Sequence, residues 1–256
     1  MRRIAMLIIL LALGTVSLMA GDMTSAQPVA APNQAPTGIL KTLEDQIDPQ
    51  VSALLIIDMQ NDYVADNGKL GKAGADVKRI QASVPAMNSL IMEARKAGVF
   101  IVWIKTTHSF KDALPNYVVS NVARVKDRPF VETDFLVQEG SQGAEYYEKL
   151  TKRLDGELEV TKHTYGAFTN TSLDTYLKAR GIKTILNIGT LTNVCVQSTA
   201  LQGWFLGYYS LIPGDAASSN DLSLHQAALK NYSTFFGLTP SNEDIVAIWK
   251  KYAAKH

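Results

Sequence analysis

Thr184-Ile185-Leu186-Asn187-Ile188-Gly189-Thr190-Leu191-Thr192-Asn193-Val194-Cys195-Val196 joins a strand-like apolar run directly to the start of a helix. Continuous apolar character at 184–188, without alternation, suits a strand buried on both faces of a parallel sheet. From Asn193 onward, Val196, Thr199, Ala200, Gly203 and Trp204 form one helical stripe. Four other runs share the buried-strand character, at 53–57, 99–104, 158–161 and 208–212. Ile80, Val84, Met87, Ile91 and Ala94 mark a helix that Gly98 stops, with Pro85 allowing a start at Ser83. Thr171 caps a pattern running to Arg180 and Gly181, Asp221 opens another, and Ser241 with Asp244 caps the last. Such alternation predicts a three-layer, doubly wound α/β fold with a mostly parallel central sheet. Right-handed crossovers then bring every strand's carboxyl end to one edge, where such folds bind ligands.

Three polar residues fall at that edge. Leu54-Leu55-Ile56-Ile57 ends in Asp58, Glu159-Val160-Thr161 ends in Lys162, and the run at 184–188 leads to Cys195. Alone, each has an ordinary reading: a turn carboxylate, a solvated strand end, a small buried thiol. Their convergence favours chemistry. A cysteine in a first helical turn meets unpaired N–H groups and the positive end of the dipole, which stabilise a thiolate. The segment from 107 to 156 is the largest insertion, and it emerges at the same edge as a candidate lid.

The 256 residues carry 25 Lys and Arg against 24 Asp and Glu, a net charge of +1. That balance gives no electrostatic case for nucleic acid or an anionic membrane as partner. The 46% of hydrophobic residues supply the core of a single domain. Arg2-Arg3, an apolar run from Ile4 to Leu13 and the small residues that follow have the pattern of a secretory signal. Thr24-Ser25-Ala26 supplies the cleavage site before Gln27, with an uncleaved anchor as the alternative. The expected organisation is a signal peptide over 1–26, a Pro- and Ala-rich tether over 27–50, and one domain over 51–256. Export, to a periplasm or outside the cell, follows. Cys195 is the only cysteine, so the chain cannot close a bridge within itself.

Three stretches together resemble the isochorismatase-like cysteine hydrolases. They are Leu54 through Asp58-Met59-Gln60-Asn61-Asp62-Tyr63, then Lys162-His163-Thr164-Tyr165-Gly166-Ala167-Phe168, then Gly189 through Thr199. The resemblance implies strand order 3-2-1-4-5-6 and a catalytic triad of Asp58, Lys162 and Cys195. It also implies a cis peptide between Thr190 and Leu191, with the N–H groups of Leu191 and Cys195 forming an oxyanion hole. Asp58 would take the thiol proton, the sulfur would attack a carbonyl carbon, and a thioester would then be hydrolysed. A homo-oligomer is implied as well. Tyr63, Tyr165 and Phe168 are candidate pocket walls, each equally at home as a core aromatic.

Nicotinamidases of this family resemble one another in an Asp-x-His metal site after the second strand. Here that stretch is Lys105-Thr106-Thr107-His108-Ser109, where a threonine stands in place of the carboxylate. No metal and no other cofactor is therefore expected, and His108 is expected to be structural or a pocket wall. Cys195-Val196-Gln197-Ser198-Thr199, Gly203-Trp204-Phe205-Leu206-Gly207-Tyr208 and the stretch from Asn231 to Gly237 resemble the ureidoacrylate amidohydrolase branch. The expected activity is hydrolysis of a C–N bond in a small amide, ureide or carbamoyl compound. Two alternatives stand: vinyl ether hydrolysis that needs no cysteine, and an exported small-molecule binder without turnover.

Overall fold

Six strands, β1 (Ser52–Ile57), β2 (Phe100–Thr106), β3 (Leu158–Lys162), β4 (Thr184–Thr190), β5 (Tyr209–Leu211) and β6 (Ala217–Ser218), pair in parallel in one sheet. The computed structural model describes residues 38–122 and 128–254. The expected signal at 1–26 and the tether as far as residue 37 lie outside the described residues. The order runs β3-β2-β1-β4-β5, as expected. The sixth strand departs from the expected order, because β6 pairs with β4 and not beyond β5. β5 spans only three residues and pairs with Thr184–Leu186, so Gly189 and Thr190 remain available to Ala217 and Ser218.

The helices are α1 (Leu43–Gln46), α2 (Asn61–Val64), α3 (Lys69–Lys72), α4 (Val77–Ala97), α5 (Pro115–Val122), α6 (Leu173–Ala179), α7 (Gln197–Phe205), α8 (Leu222–Phe235) and α9 (Asn242–Ala253). Alternate residues of β1 enter the two cores that make three layers. Leu54 and Ile56 join Ile80, Met87 and Ile91 of α4 and Trp249 of α9 on one face. Ala53, Leu55 and Ile57 join Leu173 and Leu177 of α6, Ala200 of α7 and Tyr232 of α8 on the other. Among the described residues no helix is long and apolar enough to cross a membrane.

Two boundaries depart furthest from the sequence reading. α4 does not begin at Ser83: it starts at Val77, capped by Asp76, and carries Pro85 in its interior. Burial of Val77, Ile80 and Val84 offsets the backbone hydrogen bond that proline cannot donate. The packed chain also begins ahead of Val51, at Leu40. Thr42 caps α1, Ile47 is wholly buried, and the Trp249 indole donates to the Ile47 carbonyl at 2.8 Å. A helix of four residues shows no sequence period, so this stretch looked like part of the tether.

The register brings the chemistry to one level. Ile57 lies beside Ile104 and Gly189, and Thr106 lies beside Lys162. Gly189 has φ +114°, and a Cβ there would strike the Ile57 carbonyl. Only glycine lets β4 approach β1 this closely where the chain turns toward Cys195.

Candidate active site

Asp58, Lys162 and Cys195, from three separate strand ends, meet below one cavity. Asp58 takes φ +53°, a left-handed conformation that aspartate tolerates, and its N–H still donates to the Ile104 carbonyl at 3.0 Å. Asp58 and Lys162 have no solvent exposure, and Lys162 Nζ stands 2.8 Å from Asp58 Oδ2. Lys162 Nζ also donates to Thr106 Oγ1 at 2.6 Å and to the Thr164 carbonyl at 2.9 Å. Thr106 Oγ1 in turn donates to Asp58 Oδ1 at 2.7 Å. Every proton of the ammonium is thus matched, as a buried charge requires.

Cys195 sits in an unusual turn. Residues Thr192–Val196 form one π-helical turn that leads into α7, so Cys195 lies at its fourth position. Thr192 Oγ1 meets His225 Nδ1 of α8 at 2.9 Å, and Ser219 Oγ donates to Asn193 Oδ1 at 2.7 Å. The Thr190–Leu191 peptide is cis, and Thr190 Oγ1 donates to the Ser218 carbonyl at 3.2 Å. Asp58 and Lys162 both act on the Cys195 thiol electrostatically.

Here the electrostatics correct the sequence expectation of a stabilised thiolate. Burial pushes the Cys195 thiol up; Lys162 pulls it down, but the Asp58 carboxylate adds to the rise. The resting group is therefore a neutral thiol that needs a base. Burial draws Lys162 down too, yet the charge of Asp58 outweighs it and holds the ammonium protonated.

The cavity above Cys195 measures about 110 Å³ and is lined by Tyr63, Leu70, Tyr117, Leu136, Tyr165, Thr190, Leu191 and Val194. Of the residues singled out in the sequence, Tyr63, Tyr165 and Leu191 line this cavity. Phe168 does not: its ring packs against Tyr208, 5.9 Å between centroids, because the turn after β3 carries it back toward α7. The insertion reaches the site through Tyr117 and Leu136. Asp62 holds two of these walls, accepting from the Lys69 N–H at 3.1 Å and the Val137 N–H at 2.7 Å, next to Leu70 and Leu136. Lys69 extends that clamp, donating to the carbonyls of Thr133 and Phe135.

His108 is buried and stacked on Tyr117, 4.1 Å between centroids. Burial, then Lys162 and His163, lower its pKa to about 3, so it is neutral. Among the described residues no cluster of three His, Cys, Asp or Glu is placed to hold a metal.

Several residues here escaped the sequence reading. Thr106 was noted only for the carboxylate it lacks, although it ends β2 as Asp58 and Lys162 follow or end their own strands. Gln60 accepts from the Thr106 N–H at 2.8 Å and donates to the carbonyls of Thr106 and Ala144, both at 2.7 Å. One amide thereby ties the strand end to the insertion. Leu70, Tyr117 and Leu136 come from short or irregular segments with no pattern pointing to the site.

A family model described as the isochorismatase domain matches residues 52–244. Ureidoacrylate amidohydrolase RutB of Klebsiella variicola is 34% identical over 224 residues, covering 80% of this chain and 94% of its own. Among solved structures, a cysteine hydrolase from Pseudomonas syringae pv. phaseolicola has a TM-score of 0.68 at 23% identity, covering 81% of this chain and 96% of that one. An isochorismatase family protein from Desulfovibrio vulgaris has a TM-score of 0.64 at 26% identity, covering 77% and 98%.

Two outcomes test the geometry. Thr106→Val strips Asp58 of a donor and Lys162 of an acceptor, so urea unfolding should show a loss of about 1–3 kcal/mol; a variant as stable as the parent would contradict the network. Because the Cys195 thiol lies above its ordinary value of 9.0, its alkylation by iodoacetamide should keep accelerating as pH rises through 9. A plateau below pH 9 would show a stabilised thiolate instead.

Proposed function

The chain belongs to the isochorismatase family of hydrolases, and from that premise we propose that it cleaves the C–N bond of a small amide, ureide or carbamoyl compound through a thioester on Cys195. The observation that carries this reading is the Cys195 thiol set over a wholly buried Asp58–Lys162 pair and lining a small cavity. The 34% identity to an amidohydrolase of ureidoacrylate supports the bond type.

The steps follow from the groups present. As Sγ forms its bond to the substrate carbonyl carbon, Asp58 takes the thiol proton. The carbonyl oxygen becomes an oxyanion, directed at the N–H groups of Leu191 and Cys195; such donors are typically worth about 3–4 kcal/mol each. Collapse breaks the C–N bond, and Asp58 returns its proton to the leaving nitrogen. Water then attacks the thioester, Asp58 takes a proton from it, and the acid leaves as the thiol is restored. Lys162 holds the carboxylate in place and balances the negative charge that passes between Asp58 and sulfur.

Export belongs to the same proposal, supported by the basic and apolar pattern of the first residues. So does association of like subunits, for which Trp204 and Phe205 present exposed aromatic surface.

The test is an ammonia-release screen over amides, ureides and carbamoyl amino acids with the parent protein and Cys195→Ala. At least one substrate should turn over in the parent, and the variant should lose essentially all of that activity, a loss of order 10⁴-fold or more. Activity that persists in Cys195→Ala would favour a cysteine-independent reaction, and tight binding with no turnover in either protein would favour a binder.

A further inference from the structure

We propose that the Cys195 cavity selects uncharged small amides or ureides and rejects those bearing a carboxylate, a substrate class that rests on the amidase reading and narrows it. The aliphatic walls Leu70, Leu136, Leu191 and Val194 offer a carboxylate nothing to replace its lost water. Tyr63, Tyr117 and Tyr165 line the same space, and a phenol is the only polar side-chain group that each carries. Phenols pair readily with a neutral carbonyl or amide but bring no charge to match an anion.

Beneath the thiol, the Lys162 ammonium is already committed. Its protons go to Asp58, Thr106 and the Thr164 carbonyl, and its charge is balanced by Asp58 at 2.8 Å. A second carboxylate would meet the Asp58 charge with no uncommitted cation among the described lining residues. The cavity's own ionisable groups respond in the same sense. Burial first, then Asp58, drives the Tyr63 phenol upward, and burial drives the Cys195 thiol upward, so both are held in their neutral forms. A field that disfavours a thiolate and a phenolate also disfavours a bound carboxylate.

The relative named for ureidoacrylate acts on a molecule that carries a carboxylate. This chain therefore separates from that relative at the acyl or amine substituent and keeps the scissile bond.

Cys195 is the only cysteine, so its alkylation reports the charge preference of the cavity without requiring turnover. The full-length protein is alkylated with iodoacetamide and with iodoacetate, reagents of nearly equal size, and the modified fraction is followed by intact-protein mass. Each rate is divided by the rate on 2-mercaptoethanol. The normalised rate for neutral iodoacetamide should exceed that for iodoacetate by about tenfold or more, given the cost of stripping water from an anion. Equal rates, or faster reaction with iodoacetate, would overturn the proposal.

A second arm measures ammonia release from N-carbamoylglycine and from its uncharged C-terminal amide, with each product identified by mass spectrometry to separate ureide from carboxamide cleavage. Higher kcat/KM for ureide cleavage in the uncharged member supports the proposal; a preference for the carboxylate overturns it. If neither these compounds nor any other amide releases ammonia, the amidase reading fails. The alkylation ratio then decides the charge preference alone.

Discussion

The buried ion pair between Asp58 and Lys162 is the constraint around which the site is built. Two charges with no solvent exposure, 2.8 Å apart, are stable only if their remaining hydrogen-bonding capacity is met. The structure meets it with Thr106 and the Thr164 carbonyl, which requires β1, β2 and β3 to end at one level. Gln60 then pins the Thr106 backbone, and through Ala144 it draws the insertion over the site. Removing either charge would leave the other uncompensated, a loss that typically reaches about 3–5 kcal/mol. The proposed catalytic groups and the structural keystone are therefore the same atoms.

This arrangement also determines how the thiol is activated. A surface cysteine at a helix start gains reactivity from a lowered pKa. Cys195 is buried beside a carboxylate and is held neutral. In the proposed reaction its proton is removed by Asp58 at the moment of attack, and the same carboxylate returns it to the leaving nitrogen. A protonated resting thiol is also less exposed to oxidation than a standing thiolate, which fits the proposed export.

Much of this was legible in the sequence because strand ends are legible. Asp58, Lys162 and Cys195 each follow or end a continuous apolar run, and the parallel fold sends those runs to a common edge. Thr106 obeyed the same rule and was overlooked because it was compared with a metal ligand. The walls Leu70, Tyr117 and Leu136 were not legible. They sit on a four-residue helix, a short helix in the insertion and an irregular stretch, and the Asp62 clamp places two of them through backbone N–H groups. Phe168 was misplaced for a related reason: its direction depends on how the turn after β3 folds back on α7. The two-residue β6 and four-residue α1 are likewise too short for a period to emerge.

The central claim is that Cys195 carries the acyl group during turnover. It is tested most directly by intact-protein and peptide mass spectrometry on samples quenched in acid while an amide is being consumed. The account predicts a mass increase equal to the substrate minus its leaving amine, located on the peptide that contains Cys195. Steady consumption of substrate with Cys195 unmodified throughout would contradict it.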